Sequence, residues 1–216
     1  DKVEYLFPST RDDTDLESPD SIKKTINENS PDYVINCAAK VGGIHANNTY
    51  RTDFLIDNLK INLNLFEVLK GFKNVNIINL GSSCIYPLDA KDPINEASLM
   101  EGKLEPTNEG YALAKLFTTK LCQYISEESS NMYYKTLIPC NVYGRHDNFN
   151  LETAHLLPAI IRKIHTAKIN NLNTVKIWGD GSARREFLYA EDLAGAILHA
   201  AEDLHKIPNI MNIGFG

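Results

Sequence analysis

Short apolar runs alternate along this chain with longer stretches in which apolar residues recur every three or four positions. The runs VEYLF (3–7), DYVINCAA (32–39), NVNIINLGSS (74–83) and YYKTLIPCNVYG (133–144) predict strands, and their near-continuous apolar character fits a sheet covered on both faces. Between them, 18–29, 49–72 and 109–128 carry helical spacing. Ser18 or Asp20 would cap the first of these, and Phe54, Leu55, Leu59, Ile61, Leu65, Phe66 and Leu69 line the second. Strand–helix–strand repetition at this spacing predicts an α/β fold with a doubly wound parallel sheet. The texture changes near residue 145. A helix is expected over 153–168, a short strand over TVKIWG (174–179), then a helical stretch and a last strand. The chain thus divides into a main α/β domain over 1–144 and the start of a smaller region over 145–216, interleaved with the sheet. Both ends fall in mid-pattern, so the chain is expected to be truncated at each.

Composition narrows the function. The chain has 216 residues, 43% of them apolar, enough for a sizeable core. A net charge of −6 disfavours the clustered basic face that nucleic-acid binding needs. The four cysteines form no C-x-x-C pair, which suggests reduced thiols and a cytoplasmic setting. No stretch is long and apolar enough for a membrane span, and no metal-ligand cluster stands out.

Ligands in open parallel sheets sit at the carboxyl ends of the strands. That rule brings Ala38, Ser82, Ser83, Cys84 and Asn141 to one rim. Tyr111 and Lys115, in YALAK, share one helix face at i, i+4. An ammonium beside a phenol lowers its pKa, so Tyr111 could exchange a proton with a carbonyl or alcohol. Alone, that spacing is ordinary amphipathic packing. A serine at a strand end some 30 residues upstream gives it more weight. Cys84 alone would pass for a small core residue, and His155 for a structural histidine.

Strand, Ser82, long loop, Tyr-x-x-x-Lys and a strand ending in PCNVYG together resemble the extended short-chain dehydrogenase/reductase family. Within it, AAKVGGIHANNTY, LGSSCIYP, LEPTNEGYALAK, NVYGRHDNFN, HLLPAIIRK and WGDGSARREFLY resemble the GDP-L-fucose synthase family over nearly the whole chain. The resemblance implies a Rossmann-like domain and NADP(H). It also implies a GDP-sugar substrate, a homodimer through helices near 49–72 and 109–128, and a 3,5-epimerase/4-reductase acting on GDP-4-keto-6-deoxy-D-mannose. It assigns Cys84 and His155 to proton exchange at the carbons flanking the ketone. Thiol and imidazole ordinarily titrate near ~8.5 and ~6.5, around neutral pH. Ser82 and Tyr111 would hold the enolate oxygen, and Tyr111 would then protonate O4 as hydride arrives, with Lys115 in support.

The resemblance places the Gly-rich phosphate turn upstream of residue 1, so this stretch alone is expected to be inactive. Arg11 would meet a 2′-phosphate, favouring NADP over NAD, and Asp15 and Leu16 would flank the adenine. Ala38 and Ala39 would lie over the pyrophosphate and ribose. Asn58 and Lys115 would reach the nicotinamide ribose or its support. Pro139, Asn141 and Val142 would line the nicotinamide. On the substrate side the resemblance points to Ser83, Asn141, Arg162, Lys163, Trp178 and Arg185. Lys163 stands where some members carry arginine, which keeps the charge but not a two-pronged grip on phosphate. A 4,6-dehydratase would need an Asp-Glu pair where this chain has Cys84-Ile85. Another sugar-nucleotide epimerase or 4-ketoreductase, or a non-catalytic chain, are the alternatives.

Overall fold

A computed structural model describes residues 6–215. Four parallel strands form the main sheet in the order β1 (Tyr33–Asn36), β2 (Asn76–Leu80), β3 (Tyr134–Pro139), β6 (Ile210–Ile213). The helices between them are α1 (Pro19–Asn29), α2 (Ile44–Thr49), α3 (Arg51–Leu69), α4 (Glu109–Glu128), α5 (Leu156–Ile169) and α6 (Ala190–Glu202). A second, two-stranded parallel sheet joins β4 (Asn141–Tyr143) to β5 (Phe187–Tyr189).

The alternation of side chains along β2 explains both cores. Ile77 packs with Ile22, Ile26, Leu65, Phe66 and Leu69 from α1 and α3 and with Cys122 and Ile125 from α4. Its neighbour Ile78 points the other way, onto Leu188, Leu193 and Ile197 of β5 and α6. Both faces are covered, which is why the strand reads as a continuous apolar run. Each fully buried Ile or Leu contributes about 1.5–3 kcal/mol of transfer free energy.

Several boundaries differ from the sequence expectation. The strand expected over 3–7 lies outside the described residues at 3–5, and Leu6 and Phe7 have no regular structure. Ser18, not Asp20, caps α1: its side chain accepts from the Ser21 N–H at 3.3 Å. The long helix starts at Arg51 after a separate turn of α2. The strand over 133–144 splits at Cys140, because the backbone changes partner. The Cys140 N–H bonds Ile213 O of the main sheet (3.1 Å), and the Asn141 N–H bonds Glu186 O (3.3 Å). TVKIWG forms no strand, and Trp178 is 72% exposed. Its β-branched residues mimic a strand pattern, but among the described residues no neighbouring strand pairs with it.

Candidate functional site

The carboxyl ends of β1, β2 and β3 lie side by side, with Asn36 opposite Asn79 and Leu80 opposite Leu137. Each strand then releases a loop: 37–43, 81–87 and 140 onward. Gly81 is squeezed against β3, where a Cβ would come within 3.1 Å of Thr136 Cγ2 and Ile138 Cγ1. Beyond it, Ser83–Ile85 form one 3-10 turn. Ile85 is fully buried, and the Tyr86 hydroxyl donates to Asn212 Oδ1 of β6 at 2.6 Å. Cys84 thus lies between the tightly packed Gly81 and the anchored Ile85 and Tyr86.

Tyr111 and Lys115 face this turn from α4. Lys115 is 2% exposed, and its ammonium donates to Leu80 O at 2.7 Å, at the end of β2. Its Nζ lies 6.0 Å from the centre of the Tyr111 ring. Burial holds Lys115 down at about 8, against an opposing pull from Cys84, Cys37 and Cys122. Burial pushes the Cys84 thiol up to about 11, while a hydrogen bond with Ser82 and the Lys115 charge pull it back part of the way. The Tyr111 phenol is also pushed up, first by burial and then by Cys84, with a Ser82 hydrogen bond opposing. The expected lowering of this phenol by Lys115 is therefore corrected. Burial is the largest cause, and Lys115, 6.0 Å from the ring centre, is not among the groups that move the phenol. Ser82 lowers both the Cys84 thiol and the Tyr111 phenol, while Ser83 is exposed.

The cofactor-side residues separate into two groups. Asn58 is fully buried and meets no surface. Its side chain clamps the 38–43 loop instead: Oδ1 accepts from Lys40 N–H (2.9 Å), and Nδ2 donates to Lys40 O (3.0 Å) and Phe54 O (2.7 Å). Lys40 Nζ pairs with Asp57 at 2.6 Å. Ala38 and Ala39, half-buried, precede this clamp. Pro139 is buried at the end of β3, Val142 is half-buried, and Asn141 is exposed, with Nδ2 donating to Glu186 O. Arg11 and Asp15 sit in the loop before α1, and Leu16 packs against the core below it. Arg11 pairs with Glu17 at 3.3 Å, with 84% of its side chain exposed. Such an exposed pair contributes little, which leaves the Arg11 guanidinium open to another anion such as a dinucleotide phosphate.

Sequence reasoning missed a ladder of asparagines under the rim. Asn36 Nδ2 donates to Asn62 Oδ1 (2.9 Å) and Asn79 Oδ1 (3.0 Å), and Asn62 Nδ2 donates to Asn58 O (2.6 Å). Asn79 Nδ2 reaches Thr136 Oγ1 at 3.4 Å. The signal was an asparagine inside each of two apolar strand runs.

His155 caps α5 with extended backbone, and its exposed side chain makes no cap bond. Lys163 and Trp178 come together: Nζ lies 5.3 Å from the ring centre and donates to Lys176 O. They line an open groove of about 310 Å³. Arg162 and Arg185 are exposed, and Arg185 bonds only the neighbouring Arg184 O among the described hydrogen bonds.

Residues 2–214 match the NAD dependent epimerase/dehydratase family. The chain is 44% identical to a GDP-L-colitose synthase of Yersinia pseudotuberculosis, over 99% of this chain and 69% of that protein. It is 46% identical to a GDP-L-fucose synthase of Azorhizobium caulinodans, over 98% of this chain and 67% of that protein. It superimposes on a GDP-L-fucose synthetase from Naegleria fowleri bound to NADP with a TM-score of 0.84 at 30% identity, covering 95% of this chain and 66% of that one. The chain thus spans about two-thirds of the length of these relatives. With its parallel sheet, its Ser-Tyr-Lys cluster at the strand ends and these matches, the chain belongs to the NAD dependent epimerase/dehydratase family.

Proposed function

We propose that the protein converts GDP-4-keto-6-deoxy-D-mannose to GDP-L-fucose, by epimerisation at C3 and C5 and then reduction at C4. The observation that carries this is the position of Cys84, in the turn after β2 against which α4 packs with Tyr111 and the buried Lys115. A plain 4-ketoreductase needs the Ser-Tyr-Lys part only. A thiol in the same cluster adds a group that gives and takes protons on carbon.

The chemistry follows from the ketone, which acidifies the hydrogens on C3 and C5. Cys84 and His155 would exchange those protons from opposite faces. With its pKa raised to about 11, Cys84 rests as S–H at neutral pH and has a proton to give. Ser82 and Tyr111 would donate hydrogen bonds to O4 as it becomes an enolate oxygen. After epimerisation Tyr111 would deliver its proton to O4, and its raised pKa keeps that proton in place until then. Lys115 would stabilise the phenolate left behind. NADPH, when bound, supplies the hydride to C4. Ala38, Ala39 and Asn141 would hold it, and Arg11 would meet its 2′-phosphate. Arg162, Lys163, Trp178 and Arg185 would meet the GDP-sugar from the 145–216 region.

Two coarser features extend the reading. Ile56, Leu63, Leu113, Phe117 and Tyr124 are exposed at helical spacing on α3 and α4, which supports a homodimer through that face. All four cysteines are free, which supports a reducing, cytoplasmic setting. Among the described residues no helix is long and apolar enough to cross a membrane.

The similarity to a colitose synthase supports a second substrate, since colitose is fucose without its 3-hydroxyl. The two are separated by offering the intact protein, with NADPH, the 4-keto-6-deoxy substrate and its 3-deoxy analogue. Preferred turnover of the first, with GDP-L-fucose identified by NMR, is the expected result. Turnover of the 3-deoxy analogue alone would replace the substrate. Turnover of neither by a folded, NADPH-binding protein would overturn the reading.

A further inference from the structure

Gly43 ends the loop that Asn58 clamps, yet its backbone angles (φ −67°, ψ 175°) are open to any residue. What position 43 lacks is space. A Cβ there would lie 2.6 Å from Ala154 O and 3.4 Å from Thr153 O. These are backbone atoms, which cannot swing aside as a side chain can. The Gly43 N–H also donates to Thr153 O at 2.9 Å. The next residue after Ala154 is His155, whose backbone opens α5.

Both sides of this contact are stiff. On one side, the Lys40 backbone is held by Asn58, and its side chain by Asp57. On the other, the 150–154 turn is closed by Thr153 and Ala154 N–H groups bonding Asn150 O and by Asn148 Nδ2 on Thr153 Oγ1. The two rigid pieces meet with no room for a methyl group.

We propose that Gly43 is a positioning residue for His155: its missing side chain lets the 38–43 loop seat against the 153–154 backbone, fixing where the imidazole starts relative to the sheet. This rests on the proton-transfer role proposed for His155. Gly43 itself touches no reacting atom in this scheme. A β-carbon at 43 must push the 153–154 backbone away, and misplacement by about 1 Å can cost on the order of 10²-fold in rate.

The test is Gly43→Ala in the intact protein, with solvent deuterium wash-in at C3 and C5 measured separately from hydride transfer to the already epimerised 4-ketose. Wash-in is expected to fall on the order of 10²-fold and far more than hydride transfer. Adding Gly43→Ala to His155→Gln should cost little more, because the two act through one group. Equal loss of both reactions, or additive loss in the double variant, would overturn the proposal. Histidine-ring NMR, with the His155 signals identified from His155→Gln, should show those signals displaced in Gly43→Ala; unmoved signals would overturn it. If the parent shows no wash-in, the assigned reaction fails, while the ring signals still decide the positioning claim. Should Gly43→Ala not fold, amide exchange of Gly43 in the parent decides: an amide as unprotected as an open loop contradicts the contact.

Discussion

The thiol of Cys84 and the ammonium of Lys115 bias each other through a buried site. Lys115 lowers the Cys84 pKa, and burial raises it by more. Peptide-resolved alkylation of Cys84 should therefore be slow at neutral pH and rise toward a midpoint of about 11. Ser82→Ala removes the strongest lowering influence on the thiol, so the midpoint should move higher still. A midpoint near the ordinary thiol value of about 8.5, or one that falls in Ser82→Ala, would contradict this picture of the site. These residues were legible in the sequence as a set, because a hydroxyl at a strand end and a Tyr-x-x-x-Lys helix leave a recognisable spacing. Their electrostatics were not. Spacing put the lysine near the phenol, but the balance of charge against desolvation depends on packing that no local pattern carries.

At the scale of elements, the helices and central strands were readable where apolar periodicity was long, as in α3 and α4. The end of β3 and the segment over 174–179 were misread for one reason: a strand is defined by its partner, which lies far away in sequence. The asparagine ladder was hidden in the same way. Asn36 and Asn79 break apolar runs, and only the paired register shows that they meet. The ladder ties β1, β2 and α3 together and ends on the clamp of the 38–43 loop. Asn36→Ala would strip partners from Asn62 Oδ1, Asn79 Oδ1 and the Ala38 N–H, to which Asn36 Oδ1 bonds at 3.2 Å. A loss of about 1–3 kcal/mol is expected, read as a lower urea midpoint with unchanged slope. No change in midpoint would mean that water replaces the ladder freely.

At the scale of the whole molecule, the ends of the sheet and α4 carry the Ser-Tyr-Lys cluster, and residues 145–216 carry His155, Lys163 and Trp178. Ile56 and Leu63 of α3 and Leu113, Phe117 and Tyr124 of α4 are exposed, whereas Lys115 is buried. If the protein forms the homodimer proposed above, Phe117→Glu places a charge on its face and should shift it to monomer in sedimentation; a dimer that persists would move the interface elsewhere. The most direct measurement is one turnover of GDP-4-keto-6-deoxy-D-mannose with NADPH in deuterated water, beside Cys84→Ser. Product carrying solvent deuterium at C3 and C5, with both labels and GDP-L-fucose much reduced in the variant, is the expected result. NADPH oxidation that leaves C3 and C5 unlabelled in the parent would contradict it, leaving a 4-ketoreductase with Cys84 as a packing residue.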